Sequence, residues 1–194
     1  CSNIKYCFNG DFSIMSELRT NRIVPRDGLI SGTFNGGGII QVKQTLKTDS
    51  FHTTSQSYTD ITGMTISITP TRSDSKILLQ CNLQFGGGLN LYAPVRLLRG
   101  STHIGQSTVY SGGQTNATFS LNIGDVSGSA NHYKIFSTVY QILDSPATTS
   151  TVTYKLQVSS WAGRNFYINR SEQDSGAAWT HGASSSMTAM EVSG

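Results

Sequence analysis

Apolar and polar positions alternate over most of the chain beyond residue 38. From Val152 to Val158 every second residue is apolar (Val152, Tyr154, Leu156, Val158), with Thr153, Lys155 and Gln157 between them. A period of two puts one register on a dry face and the other in water, which predicts a half-buried strand. "KILLQCNLQF" does the same: Ile77, Leu79, Cys81, Leu83 and Phe85 share the dry register, while Lys76, Gln80, Asn82 and Gln84 lie in the wet one. Cys81 is therefore expected in the core as a small hydrophobe.

The same pattern predicts strands at 39–47, 63–69, 76–85, 95–98, 104–109, 115–121, 133–143, 152–158, 166–169 and 186–192. Turn clusters such as "PTRSDS", "FGGG", "SGGQ" and "DSPATTS" separate them. About ten short strands without an amphipathic helix predict an all-β protein, and a count this high favours a jelly roll over a seven-strand sandwich. We expect a single jelly-roll-like antiparallel β-sandwich over residues 39–194, preceded by an irregular segment over 1–38. That segment ends in a joint, Gly36 to Gly38, which lacks the Lys and the helix start of a phosphate loop. Within it, Met15 reads as a translation start, leaving residues 1–14 outside the native product; a lipidated Cys1 is the rival reading.

One strand departs from simple alternation. In 133–143 the register Tyr133, Ile135, Ser137, Val139, Leu143 and the register Phe136, Tyr140, Ile142 are both largely apolar. With the first register in the core, the second would leave an apolar stripe in water, which soluble monomers rarely carry. Phe136, Tyr140 and Ile142 are accordingly expected at the interface of a homotrimer.

Composition narrows the function classes. Charged residues make up 13% of the chain, against about 25% in an ordinary globular protein, and 20 glycines favour strands and tight turns over helices. A net charge of +3 without a Lys or Arg run gives no footprint for nucleic acid. No apolar run approaches the roughly 18 residues of a membrane-spanning helix. Cys1 and Cys7 could pair with each other, but neither they nor His52, His103, His132 and His181 show ligand spacing, so neither metal nor cofactor is expected. No Gly-x-Ser-x-Gly elbow occurs. Glycoside cleavage would require two carboxylates facing each other across about 5–10 Å. Asp144 and Asp174 are the pair a sandwich could bring together, although aspartates in turn segments more often bond their own backbone.

Aromatic loop residues give the sharper signal. "SSWAGRNFYINR" and "EQDSGAAWTHG" place Trp161, Arg164, Tyr167, Asp174, Trp179 and His181 in or beside two connections. Rings that stack on CH groups, beside polar atoms that pair with hydroxyls, suit a glycan-binding surface. The competing reading buries Trp161 and Trp179 as caps on the ends of the sandwich.

The opening "MSELRTNRIVPRDG", then "IIQVKQTLKTDSFHTTSQSYTDITGMTISITPTRSDSKILLQCNLQFG", "RLLRGSTHIG", "QILDSPATTSTVTYKLQV", "FYINR" and the closing "SSMTAMEV" resemble virion fibre or tail-fibre-like proteins of marine bacteriophages, cyanophages among them. The resemblance covers nearly all of the chain from Met15, and "LNIGDVSGSANHY" departs from it as an insertion. It implies a non-enzymatic virion structural domain at the exposed end of an appendage, trimeric and with a tumour necrosis factor-like jelly roll. Its partners would be other virion proteins and host-surface polysaccharide, and its location the extracellular particle. A secreted lectin-like module and a polysaccharide-cleaving enzyme are the alternatives.

Overall fold

The computed structural model describes residues 38–108, 116–124, 132–178 and 180–193. Eleven strands are seen among them: β1 (Ile39–Lys47), β2 (Phe51–Thr53), β3 (Thr59–Ile68), β4 (Lys76–Gly87), β5 (Leu91–Arg99), β6 (Thr102–Ile104), β7 (Phe119–Ile123), β8 (Phe136–Asp144), β9 (Val152–Val158), β10 (Phe166–Ile168) and β11 (Ser185–Val192). The expectations for Cys1, Cys7, Met15, the glycine joint before Gly38, most of the insertion and Trp179 lie outside the described residues.

Two antiparallel sheets form a sandwich. In the first, β4 is flanked on one edge by β8 and on the other by β11 and β10 in tandem, which in turn pair with β1 and β2. In the second, the order β3-β9-β5 continues into β6 and β7, also in tandem along one edge of β5. With β6 and β7 counted as one interrupted strand, and the short β2 and β10 set aside, the eight principal strands lie as first-eighth-third-sixth and second-seventh-fourth-fifth. That winding is the jelly roll.

The alternation explains which side chains meet. Val152, Tyr154, Leu156 and Val158 of β9 face Ile77, Leu79, Cys81 and Leu83 of β4 in one buried cluster. Burial without a charged partner pushes the Cys81 thiol up to about 12, so it is an inert core residue. β8 corrects the sequence expectation. Phe136, Tyr140 and Ile142 pack against the core cluster, whereas Val139 and Leu143 are 55% and 50% exposed. The reason is local: the Tyr140 ring stacks on Phe119 of the opposite sheet, with centroids 4.8 Å apart, and Phe136 lies 5.7 Å from Phe85. One aromatic partner across the sandwich and one on the neighbouring strand therefore decide the register, and the proposed interface stripe of Phe136, Tyr140 and Ile142 is an inner face.

Two carboxylates tie the sandwich together. Asp144, at the end of β8 in the first sheet, accepts from two adjacent strands of the second: Arg99 Nη1 of β5 reaches its two oxygens at 2.9 and 3.0 Å, and the Tyr154 hydroxyl of β9 donates at 2.7 Å. Burial and the adjacent Asp144 charge both push the Tyr154 phenol up. Glu191, fully buried in β11, accepts from Gln41 Nε2 at 2.6 Å and from both the N–H and hydroxyl of Thr71 at 2.7 Å. It thus latches the loop that carries the chain from β3 across to β4. Burial pushes the Glu191 carboxyl up, but the donors from Gln41 and Thr71, with the Ser75 hydroxyl beside them, outweigh it and bring the pKa from 4.5 down to about 2. A folded value below the unfolded one stabilises the fold above about pH 4.5, and that stabilisation is lost as the pH falls towards 2. Urea melts should therefore show stability dropping across that window. Glu191→Gln should be less stable at neutral pH and should flatten the acid limb; an unchanged limb would refute this role.

Candidate functional site

After β9 the chain makes a short 3-10 turn at Trp161–Gly163. The turn is anchored on both sides. Ser159 N–H donates to Pro94 O at 3.2 Å, Ser160 N–H to Ser55 O at 2.7 Å, and Arg164 N–H back to Trp161 O at 3.3 Å. Ala162 sits at φ 54°, a left-handed conformation that is costly for a residue with a Cβ and that tends to occur where a site requires it. The anchored turn holds Trp161 with 59% of its surface exposed, edge-on to the half-exposed Tyr92 of β5, with ring centroids 5.7 Å apart and planes at 88°.

This aromatic corner forms one wall of a cavity of about 640 Å³ on the outer side of the second sheet. Gln56, Asn116, Ser120 and Asn122 supply polar walls, and Pro94 and Phe119 apolar ones; no Lys, Arg, Asp or Glu lines the cavity among the described residues. Asn116 is held from beneath. Its backbone carbonyl accepts from the Tyr58 hydroxyl at 2.7 Å and from Arg96 Nε at 3.3 Å, and the Arg96 guanidinium lies 3.7 Å over the Tyr58 ring. Burial pushes the Tyr58 phenol up, partly offset by Arg96, so it remains a donor. The Asn116 side-chain Oδ1 is buried and has no hydrogen-bond partner among the described residues.

Neighbouring groups are already committed. The Thr118 hydroxyl donates to Ile104 O at 3.0 Å and accepts from Leu97 N–H at 3.0 Å. A hydroxyl has one proton to give, so His103 Nε2, at 2.9 Å, must donate to it. Burial, with help from Arg96, lowers the His103 pKa and keeps the ring neutral.

Of the six residues expected to form one glycan surface, the five that are described are dispersed. Trp161 alone lines the large cavity. Arg164 is exposed just beyond the turn. Tyr167 lies in β10, on the first sheet, its ring stacked on His52 at 4.5 Å and approached by Arg170 at 4.7 Å, so its faces are largely taken. Asp174 accepts from Gly176 N–H within its own turn. His181 lines a separate cavity of about 310 Å³ with Tyr133 and Lys134. Asp144 and Asp174, weighed as an acid pair, have separate partners, and Asp144 ends a strand instead of forming a turn. His132 pairs with Glu172, whose other oxygen accepts from Asn165 at 2.8 Å. Among the described residues no three His, Cys, Asp or Glu side chains converge.

Tyr92 and Asn116 were missed in the sequence. The strand expected at 95–98 begins at Leu91, and an aromatic in its wet register, beside Pro94, was the available signal.

Fold and site together define a jelly-roll domain bearing an aromatic-cornered cavity that is uncharged among its described residues. No family model matches the chain, and no curated protein does. Among solved structures, a chain from the structure of infectious bursal disease virus, Gx strain, aligns with a TM-score of 0.41 at 13% sequence identity, over 78% of this chain and 32% of that one. The match thus spans about a third of the length of that viral chain.

Proposed function

We propose that this chain is a non-enzymatic virion surface domain that binds a neutral host-surface glycan in the Trp161 cavity while joining other virion proteins. The observation that carries the binding reading is the half-exposed Trp161–Tyr92 corner over walls of amides and hydroxyls without a charged side chain. Ring faces stack on the CH groups of a pyranose, and Asn and Gln amides pair with its hydroxyls as both donor and acceptor. Acid–base glycoside cleavage calls for a carboxylate pair at the bound sugar, and the described lining of this cavity supplies none. The resemblance of the sequence to marine phage fibre proteins supports the virion location.

Glycan arrays followed by calorimetry on a hit test the binding. Trp161→Ala should weaken a neutral glycan at least about tenfold, as loss of a stacking ring and its burial implies, with an unchanged melting temperature because the side chain is half exposed. Affinity should stay flat from about pH 5 to 8, since none of the described lining residues is a His, Asp or Glu. Absence of any neutral-glycan hit, or full affinity in Trp161→Ala, would overturn the reading. Antibodies against the chain should label intact particles if the virion location holds.

A further inference from the structure

The two sheets have unlike outer faces. That of the second carries charge: Lys155 pairs with Asp60 at 2.9 Å, Gln157 bonds the same carboxylate at 2.7 Å, and Arg96 lies nearby on β5. That of the first is almost uncharged. Pairing registers place Val42, Met190, Leu78 and Leu143 in one row across β1, β11, β4 and β8. The next row is Gln44, Thr188, Gln80 and Gln141, and the third has Leu46 and Val139 at its ends. Val42, Leu46, Val139 and Leu143 are each 50–59% exposed, and Lys76 at one corner is the only charged side chain in these strands' outward register.

We infer that this face pairs with the same face of a second copy of the chain. A wet sheet face ordinarily carries charged and polar residues; four exposed aliphatic side chains on one flat face are instead the makings of an interface. The area is adequate. Four strands about 4.8 Å apart and eight residues rising about 3.3 Å each give roughly 500 Å² in projection. Side-chain relief raises the accessible area towards the roughly 800 Å² per partner of a stable association. The polar row selects the partner. Amides are donor and acceptor at once, so a glutamine row can pair with its own copy across a twofold axis without opposing like charges. The outcome is a twofold, face-to-face pair, and it replaces the threefold stripe that β8 turns inward.

Sedimentation of the full chain at micromolar concentration tests this. The wild type should run at twice the chain mass. Val139→Lys with Leu143→Lys, both on exposed positions of an edge strand, should run at the chain mass with a retained β-sheet spectrum and cooperative melting. Val139→Ser with Leu143→Ser is the milder companion should the lysines unfold the domain, and it should weaken association at least tenfold. Lys155→Glu, on the other sheet, should leave the mass unchanged. A monomeric wild type, as expected if residues 1–35 or another virion protein cover the face, would overturn the inference, as would a trimer or an oligomer that survives the variants.

Discussion

Asn169→Ala is expected to cost about 3–6 kcal/mol of folding stability, enough to unfold a marginal domain. Asn169 follows β10, is 3% exposed, and lies at φ 66°. Its Nδ2 donates to Lys47 O at 2.8 Å and Asp49 O at 2.9 Å, while its Oδ1 accepts from the Ser185 hydroxyl at 2.6 Å. Its backbone N–H donates to Gln84 O and its carbonyl accepts from Ala183 N–H. One residue thus joins the end of β1, the middle of β4 and the start of β11. Alanine would leave two carbonyls and a hydroxyl short of a partner, at about 1–3 kcal/mol for each group that water cannot reach. It would also add a Cβ in the left-handed region, for about 1–2 kcal/mol more. Glycine in its place loses the same hydrogen bonds without that backbone strain, so Asn169→Gly should be the more stable of the two by about 1 kcal/mol. Urea denaturation of the three proteins measures both differences; a loss below about 1 kcal/mol for Asn169→Ala would show that the tie is not structural.

The sheets were legible where alternation was strict. β9 falls on its expected limits, and its dry register and that of β4 are the buried ones, because a half-buried antiparallel strand must segregate its faces. β1 also falls on its limits, but its apolar register, with Val42 and Leu46, faces out. β8 was misread because both its registers are apolar. Only Phe119 and Phe85, brought up by pairing distant in sequence, decide which face turns inward. β2 was too short to carry a period at all.

The site was less legible than the fold. Trp161 could be picked out as an aromatic in a turn, but its companion Tyr92 lies 69 residues away and reaches it only because β5 and β9 are neighbours. Nearness in sequence grouped Trp161 with Tyr167, yet the turn between them sends the chain from the second sheet to the first. A local cluster of aromatics at a sheet crossing therefore splits between two surfaces. Arg96 and Tyr58 gave no sequence signal as supports for Asn116, since their contact is made through a backbone carbonyl.

Gly86→Ala is expected to be the second severe substitution, at roughly 2–4 kcal/mol, and its effect should extend to the Trp161 cavity. Near its C-terminal end β4 pairs with β10, with Gly86 opposite Tyr167 and Gly87 opposite Phe166. A Cβ on Gly86 would lie 2.4 Å from Arg170 O and 2.9 Å from Ser171 Cα. Both obstacles are backbone, so no side-chain rotation relieves the contact, and the chain after β10 would have to move by about an ångström. That movement would strain the Asn169 tie immediately before it and slacken the short β10. β10 begins two residues after the Arg164 amide that closes the Trp161 turn. A shifted β10 therefore reaches the aromatic corner through a few bonded residues, whereas Gly100→Ala, with open space at its Cβ position but φ 59°, should cost only about 1–2 kcal/mol of local backbone strain. Thermal melts of the two variants should separate them by several degrees, and affinity for the glycan proposed for the Trp161 cavity should fall in Gly86→Ala while staying at the wild-type value in Gly100→Ala. Equal melting temperatures would mean that the close approach of β4 to the Arg170–Ser171 backbone is not required.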